Sequence, residues 1–351
     1  MSAAATNSEA AARACGRGIY FDGGVIMFTA RILVAVLAVS LTGTAALAQG
    51  KRKPQGGQAA QSAPAQPAPA LGLADIPADA LDSYIVKSNA VVGLLNTSLR
   101  ADESWSRYLS WANVKTGPTG RERIIYGLYS VSDSQAKDAI AKARKSADGE
   151  PAIPSLDGAT KELADAFEVL VPILNEAEAY YDRKDYLADN MAGGKALHAK
   201  MVPAALAFLA ARKKTEALQT QFKDLLDVAQ LDRIEKAEGR SVRWHARHTM
   251  ALAKKAIDLM PTSPRGGNDM KAFDAALAAY GEAVRDFDKV VRESGKSTAI
   301  DSHPREILGK LREMRDAIGR GRMDGMRFSF DYSAVISSYN MMVSMSNSFF
   351  R

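Results

Sequence analysis

The chain has 351 residues, a single cysteine (Cys15) and a formal net charge of +6. One thiol excludes a disulfide framework and a zinc–thiolate centre. Most of the charge excess lies in the first 74 residues; residues 75–351 carry 40 basic against 38 acidic side chains, which is not the basic footprint of a nucleic-acid binder.

Residues 1–26 are polar and patternless and read as a start-site overcall upstream of Met27. Residues 27–48 read as a secretory signal peptide. Arg31 supplies the positive region, 32–41 are apolar, and Ala46-Leu47-Ala48 forms a small-residue cleavage site. The apolar run falls short of the roughly 20 residues that span a bilayer. Gln49 stands where a lipoprotein would carry its cysteine. The expectation is cleavage and release into the periplasm, with no transmembrane helix in the mature chain. Residues 49–74 form a Pro/Ala/Gln-rich linker that is too poor in bulky side chains to fold.

From residue 75 to 351 the periodicity is helical throughout. It predicts helices over 76–100, 103–114, 133–147, 156–182, 185–192, 195–259, 269–294, 304–319 and 331–350. Gly and Pro punctuate the breaks at 116–120, 149–154 and 261–268. Ser155 and Asp331 are the expected N-caps of their helices. Segment 118–131, rich in β-branched and aromatic residues, suits an ordered crossing loop or a short strand. The fold class is all-α: an elongated helical bundle with one very long helix, weakest at Gly239.

Two stretches share a skeleton. Ile85, Asn89, Val92, Asn96 and Leu99 step by four and three, as do Ile336, Asn340, Val343, Asn347 and Phe350. Each set lines one helix face. A buried asparagine is costly unless its amide is paired, and two amides can satisfy each other. The pattern predicts that the first and last helices pack antiparallel, with Asn89 facing Asn347 and Asn96 facing Asn340.

This skeleton resembles the paired-asparagine helices of the YiiG-like bacterial envelope family, domain of unknown function 3829. A second stretch extends the likeness: Ala179-Tyr-Tyr-Asp-Arg-Lys-Asp-Tyr-Leu-Ala-Asp-Asn190, followed by Gly194-Lys-Ala-Leu-His198. The resemblance covers about residues 80–351. It implies an exported, all-helical domain and supplies no activity. The chain departs from the family's lipoprotein pattern in lacking the lipobox cysteine.

Three constellations carry candidate chemistry. In the central stretch, Asp182, Asp185 and Asp189 fall on one face of a continuous helix, and with Tyr180, Tyr181, Tyr186 and His198 they form the candidate ligand site. A hard cation needs more oxygen ligands than this spacing guarantees, so the expected role is structural. Arg240, Arg243 and Arg247 form a helical stripe beside Trp244, a candidate surface for anionic envelope polymer or lipid headgroups. His245 and His248 share a face but lack further ligands. Met323, Met326, Met341, Met342 and Met345 read as irregular core filling. No nucleophile elbow, HExxH, P-loop or Rossmann fingerprint is present in the folded part. The sequence therefore points to a non-enzymatic envelope protein that needs no cofactor or metal and binds an envelope protein or anionic polymer. The alternative is a periplasmic module for a small ligand or metal ion.

Overall fold

In the computed structural model, residues 70–265, 269–295 and 298–350 are described. The expected signal peptide, the piece before it and residues 49–69 of the linker lie outside these. Nine helices and no sheet make up the described residues: α1 (Leu81–Leu109), α2 (Asp133–Ala147), α3 (Pro154–Asp182), α4 (Tyr186–Asp189), α5 (Ala192–Glu238), α6 (Val242–Asp258), α7 (Met270–Ser294), α8 (His303–Gly319) and α9 (Gly325–Phe349). The chain is an elongated all-α bundle, and α5 alone runs 47 residues, about 70 Å at 1.5 Å per residue.

Helix ends follow local chemistry. Ser132 caps α2, Ser241 caps α6, Asp269 caps α7 and Asp324 caps α9, each side chain accepting a hydrogen bond from a first-turn N–H. Each such bond satisfies one orphan donor of the helix start. The caps expected at Ser155 and Asp331 are displaced. Pro154 opens α3 two residues earlier, because its ring pre-sets the helical φ and the first turn needs no N–H there. Asp324 opens α9 two turns before Asp331. The break expected between 100 and 103 is absent, since Ala101 is fully buried and carries α1 through.

Two apolar cores divide the molecule. The first joins α1, α2, α3 and most of α5, with Phe167, Leu163, Leu174 and Phe208 fully buried. The Phe167 and Phe208 rings pack 5.8 Å apart, an arrangement whose truncation to alanine costs about 3–5 kcal/mol in comparable cores. The second core joins α6 to α9 around Phe273, Tyr280, Phe287, Leu311 and Met314.

The break between these cores is the main departure from the predicted 195–259 helix. Gly239 sits at φ 67°, ψ −162°, a backbone region open essentially to glycine alone. Ser241 then starts α6, which packs back on α5. Asp258, at the far end of α6, acts electrostatically on Asp224 of α5.

That reversal corrects the expected pairing of first and last helices. The main neighbours of α1 are α2, α5 and α3, whereas those of α9 are α8 and α6. Ile85 packs on the first core; Ile336, Val343 and Phe350 pack on the second. The two stripes thus sit on separate cores, and α1 and α9 do not pair antiparallel among the described residues. Asn89 is half-buried and Asn96 exposed, while Asn340 is half-buried with a buried Oδ1 that finds no partner among the described residues. Asn347 lies in the last turns of α9.

The ordered chain also reaches further back than composition indicates. Leu71 is buried in the first core; its N–H donates to Gln221 Oε1 at 3.1 Å, and Ser155 Oγ donates to its carbonyl.

Buried polar groups lock the first core. Lys87 Nζ, 2% exposed, donates to Asp157 Oδ1 at 2.6 Å and to the Ser146 carbonyl at 2.7 Å. Asp157 Oδ2 accepts from Ile153 N at 2.7 Å. One lysine thereby ties α1 to the end of α2 and the start of α3. Arg212 similarly donates from α5 to the Leu95 carbonyl and Ser98 Oγ of α1, both at 2.6 Å, and pairs with Glu216. Buried charge is tolerated here because each group is paired and hydrogen-bonded.

Candidate functional site

The central stretch forms the corner between α3 and α5. Three non-glycine residues adopt positive φ there: Lys184 at 60°, Asn190 at 51° and Met191 at 69°. Such left-handed residues persist only when their surroundings hold them. What holds them is a set of interlocked aromatic rings and one carboxylate.

Asp189 is that carboxylate. Its Oδ1 accepts from the Tyr180 hydroxyl at 2.8 Å and its Oδ2 from Gly193 N at 2.8 Å. It thus caps the start of α5. The Gly193 bond first, and the Tyr180 bond with it, hold its carboxyl below the ordinary aspartate range. Burial, joined by the Asp189 bond, pushes the Tyr180 phenol up to about 12. The adjacent glycines are required by close approach. A Cβ on Gly193 would meet Tyr180 Cε2 at 2.7 Å; one on Gly194 would meet Met191 Sδ at 2.7 Å and the Tyr181 hydroxyl at 2.8 Å.

The remaining carboxylates go elsewhere. Asp185 accepts from the Arg183 guanidinium at 2.6 Å, and Asp182 is exposed. The corner breaks the continuous helix that would have aligned Asp182, Asp185 and Asp189 on one face. No group of three histidine, cysteine or acidic side chains able to hold a metal occurs among the described residues.

The tyrosines lead instead into an aromatic joint whose other half comes from the end of α1 and the turn that follows it. Tyr181 meets Trp111 edge-on at 5.0 Å and Tyr180 at 5.0 Å; Tyr186 lies 6.2 Å away. Tyr108, fully buried, stacks on Trp105 at 5.6 Å and meets Trp111 edge-on at 5.1 Å. His198 joins through a 2.8 Å hydrogen bond between its Nδ1 and the Tyr108 hydroxyl. Burial lowers the His198 pKa, with a Val114 backbone hydrogen bond opposing it. Burial also drives the phenols of Tyr108 and Tyr181 far above their ordinary range. These side chains are therefore neutral near pH 7; Tyr108 hydrogen-bonds to His198, whereas the buried Tyr181 hydroxyl finds no partner among the described residues and its ring acts by packing. Gly117, at φ +71°, lets the 113–117 turn close on His198; a Cβ there would sit 2.9 Å from His198 Cδ2.

Trp105, Tyr108 and Trp111 were not singled out by sequence. Their spacing of three residues within the predicted 103–114 helix was the available signal, although the helix ends at Leu109, before Trp111.

The joint also fastens segment 118–131, which is extended without strand pairing. Trp111 Nε1 donates to the Gly127 carbonyl at 3.0 Å, Ser104 Oγ to the Tyr129 carbonyl at 2.7 Å and Arg107 Nε to the Tyr126 carbonyl at 2.9 Å. Asn175 on α3 brackets Val131, donating to its carbonyl and accepting from its N–H, both at 2.9 Å. The reading as an ordered crossing loop holds, with α1 and α3 side chains replacing a neighbouring strand.

The second sequence constellation lies at the α5–α6 turn. Arg240 pairs with Glu235 at 3.0 Å and Arg243 with Glu238 at 2.9 Å, and Arg240 also lies over the Trp244 ring at 4.8 Å. Two of the three stripe arginines thus serve the reversal itself. Arg247 continues one turn along α6. His245 and His248 flank Trp244 at 5.0 and 4.8 Å. Of the methionines, Met323 and Met342 are buried and Met345 half-buried in the second core, whereas Met326 and Met341 are exposed. No helix among the described residues is long and apolar enough to cross a membrane.

These features define a sheet-free helical bundle whose densest cluster of unusual residues is a structural joint without obvious catalytic or metal-binding features. The chain belongs to the family described as protein of unknown function (DUF3829), whose model matches residues 82–348. It is similar to the uncharacterized protein YiiG of Escherichia coli K12: 26% identical over 257 residues, spanning 67% of this chain and 71% of that one. No solved structure matches it.

Proposed function

We propose that this chain is an exported, non-enzymatic protein of the bacterial envelope, working as a stiff helical module that docks a partner protein on the outer face of α9. The observation that carries this reading is the exposed face of that helix. Met326 (86% exposed), Phe330 (74%) and Met341 (57%) follow one another at helical spacing, with Ser333 and Ser337 between and Phe349 beyond. Large apolar side chains left in water along a whole helix mark an interaction face. Alternating large and small residues are what a second helix needs to approach closely. The joint at α1, α3 and α5 supports the module reading, because its tyrosines, histidine and Asp189 are consumed in holding the corner. Export rests on the signal-like residues 27–48 and periplasmic release on Gln49 in place of a lipobox cysteine.

The test is capture of partners by the tagged chain from envelope extracts of its native host, compared with Phe330→Asp and Met341→Asp. The expected result is one protein retained by the parent and lost from both variants, while their helical circular dichroism is unchanged. Equal capture by all three removes α9 as the docking face. Export is tested separately by fusing residues 1–60 to a phosphatase active only outside the cytoplasm; an inactive fusion overturns the envelope assignment.

A further inference from the structure

The joint leaves one concave surface that neither the packing nor the α9 reading uses. On the outer side of α1, a groove of about 590 Å³ is lined by Arg100, Ser106, Arg107, Ser110, Tyr126 and Tyr129, with Glu103 at its edge. Its floor holds two cations on one aromatic ring. The guanidinium carbon of Arg100 lies 4.0 Å from the Tyr129 ring centroid, and that of Arg107 lies 4.5 Å from the same centroid.

Both arginines are fixed before any ligand arrives. Arg107 donates to the Tyr126 carbonyl at 2.9 Å and the Tyr129 hydroxyl at 3.0 Å. These partners are neutral, and no carboxylate pairs with Arg107 among the described residues. Arg100 reaches the Ser130 carbonyl at 3.4 Å and shares Glu103 at 3.2 Å. The acid of segment 118–131, Glu122, is turned onto its own backbone, accepting from Thr119 and Gly120, which holds its carboxyl below the ordinary range. Two guanidiniums thus share one ring with a single carboxylate between them. Holding like charges together is unfavourable until an anion enters, and the planar fork of arginine matches carboxylate and phosphate oxygens. Beside them the Tyr126 ring is 50% exposed, with the Arg107 guanidinium carbon 5.9 Å from its centroid. The hydroxyls of Ser106 and Ser110 complete a polar wall.

The geometry points to this groove as a binding site for an anionic sugar unit, carboxylated or phosphorylated, whose ring lies on Tyr126 and whose charge meets Arg100 and Arg107. The groove's volume falls in the range of small-ligand sites. An exposed aromatic face beside preorganised guanidiniums joins the two elements such a unit requires: an apolar ring face and a fixed counter-charge. The site is independent of α9.

The experiment is calorimetric titration of the chain with glucuronate, glucose 1-phosphate, glucose and inorganic phosphate, repeated with Arg100→Gln and Tyr126→Ala. Arg100→Gln removes the 3.4 Å bond to the Ser130 carbonyl, and Tyr126→Ala removes the ring beside Arg107 but keeps the backbone carbonyl it holds; unchanged urea midpoints are therefore required of both variants. Expected is saturable 1:1 binding of glucuronate or glucose 1-phosphate, and none of glucose. Arg100→Gln should weaken it about tenfold, the scale of one charge-assisted hydrogen bond, and Tyr126→Ala severalfold. Whichever of glucuronate and glucose 1-phosphate binds distinguishes a carboxylated from a phosphorylated unit. Inorganic phosphate binding as tightly as glucose 1-phosphate, or an unaffected Tyr126→Ala, overturns the sugar assignment. No binding of either anionic sugar, or binding indifferent to Arg100→Gln, overturns the site.

Discussion

The Tyr108 hydroxyl lies 2.8 Å from His198 Nδ1, joining residues 90 positions apart in the chain. This contact links the end of α1 to the first turns of α5 across the aromatic joint. Tyr108→Phe keeps the ring and removes only the bond, leaving a partly buried imidazole nitrogen unpaired. The expected loss is about 1–2 kcal/mol of unfolding free energy, read from urea denaturation. A change below ~0.5 kcal/mol would mean the bond adds nothing to the packed rings.

Lys87 presents a harsher case. Lys87→Met leaves Asp157 charged and buried, and removal of one partner of such a pair costs about 3–5 kcal/mol. The double variant Lys87→Met/Asp157→Leu should recover part of that loss, because no unpaired charge remains. Failure of the double variant to recover any stability would assign the cost to packing rather than to charge. Asp157 also accepts from Ile153 N, which limits the recovery.

At Gly239 the prediction concerns the backbone alone. No heavy atom lies within 4 Å of a Cβ built there, so Gly239→Ala meets only the strain of φ 67°, ψ −162°. The expected cost is about 1–3 kcal/mol, measured by thermal or urea unfolding. An unaffected or stabilised variant would show that α5 and α6 tolerate a different junction, including the continuous helix that their sequence pattern suggests.

Acidification should weaken the fold between about pH 7.5 and 5.5, the range around the ordinary imidazole value of ~6.5. Burial lowers the pKa of His198, His245 and His248. The unfolded chain therefore binds protons more readily than the folded one in this window. Each histidine's contribution is complete above its unfolded pKa and is lost as pH falls from there toward its folded pKa. Asp224 and Asp258, raised by burial, run the other way: their contribution is present below their unfolded pKa and lost as pH rises through the folded one. Thermal midpoints across the window should drop toward acid, and the drop should shrink in His198→Gln. A midpoint that rises on acidification would place the aspartates in control.

Much of the architecture could be read from residue order. The helix spans of α2, α7 and α8 were legible within a residue or so, because periodicity and breakers act within a few positions of the chain. Gly239 was visible as a weak point, yet the pattern of apolar residues continues smoothly across it. Only the reversal shows that Ala246, Met250 and Ile257 belong to a second layer of packing. The asparagine stripes illustrate the limit. Their spacing correctly places each set on one helix face, but a stripe does not name its partner. Ile85 and Ile336 look alike in sequence and settle in different cores.

The central motif divides in the same way. That Tyr180, Tyr181 and Tyr186 pack at a corner follows from their types and from the residues between them, whereas the parts taken by Asp189 and His198 do not. The sequence alone also determined the helical class, the lack of cysteine in residues 75–351 and the charge balance, since these are sums or local periodicities. Which rings meet, which carboxylate caps α5, and the arrival of Trp105, Tyr108 and Trp111 were decided only in three dimensions. The physical reason is that burial and hydrogen-bond satisfaction depend on groups brought together from distant positions: a tyrosine 90 residues away fixes His198, and Gly117 must lack a side chain because an imidazole from another helix occupies that space.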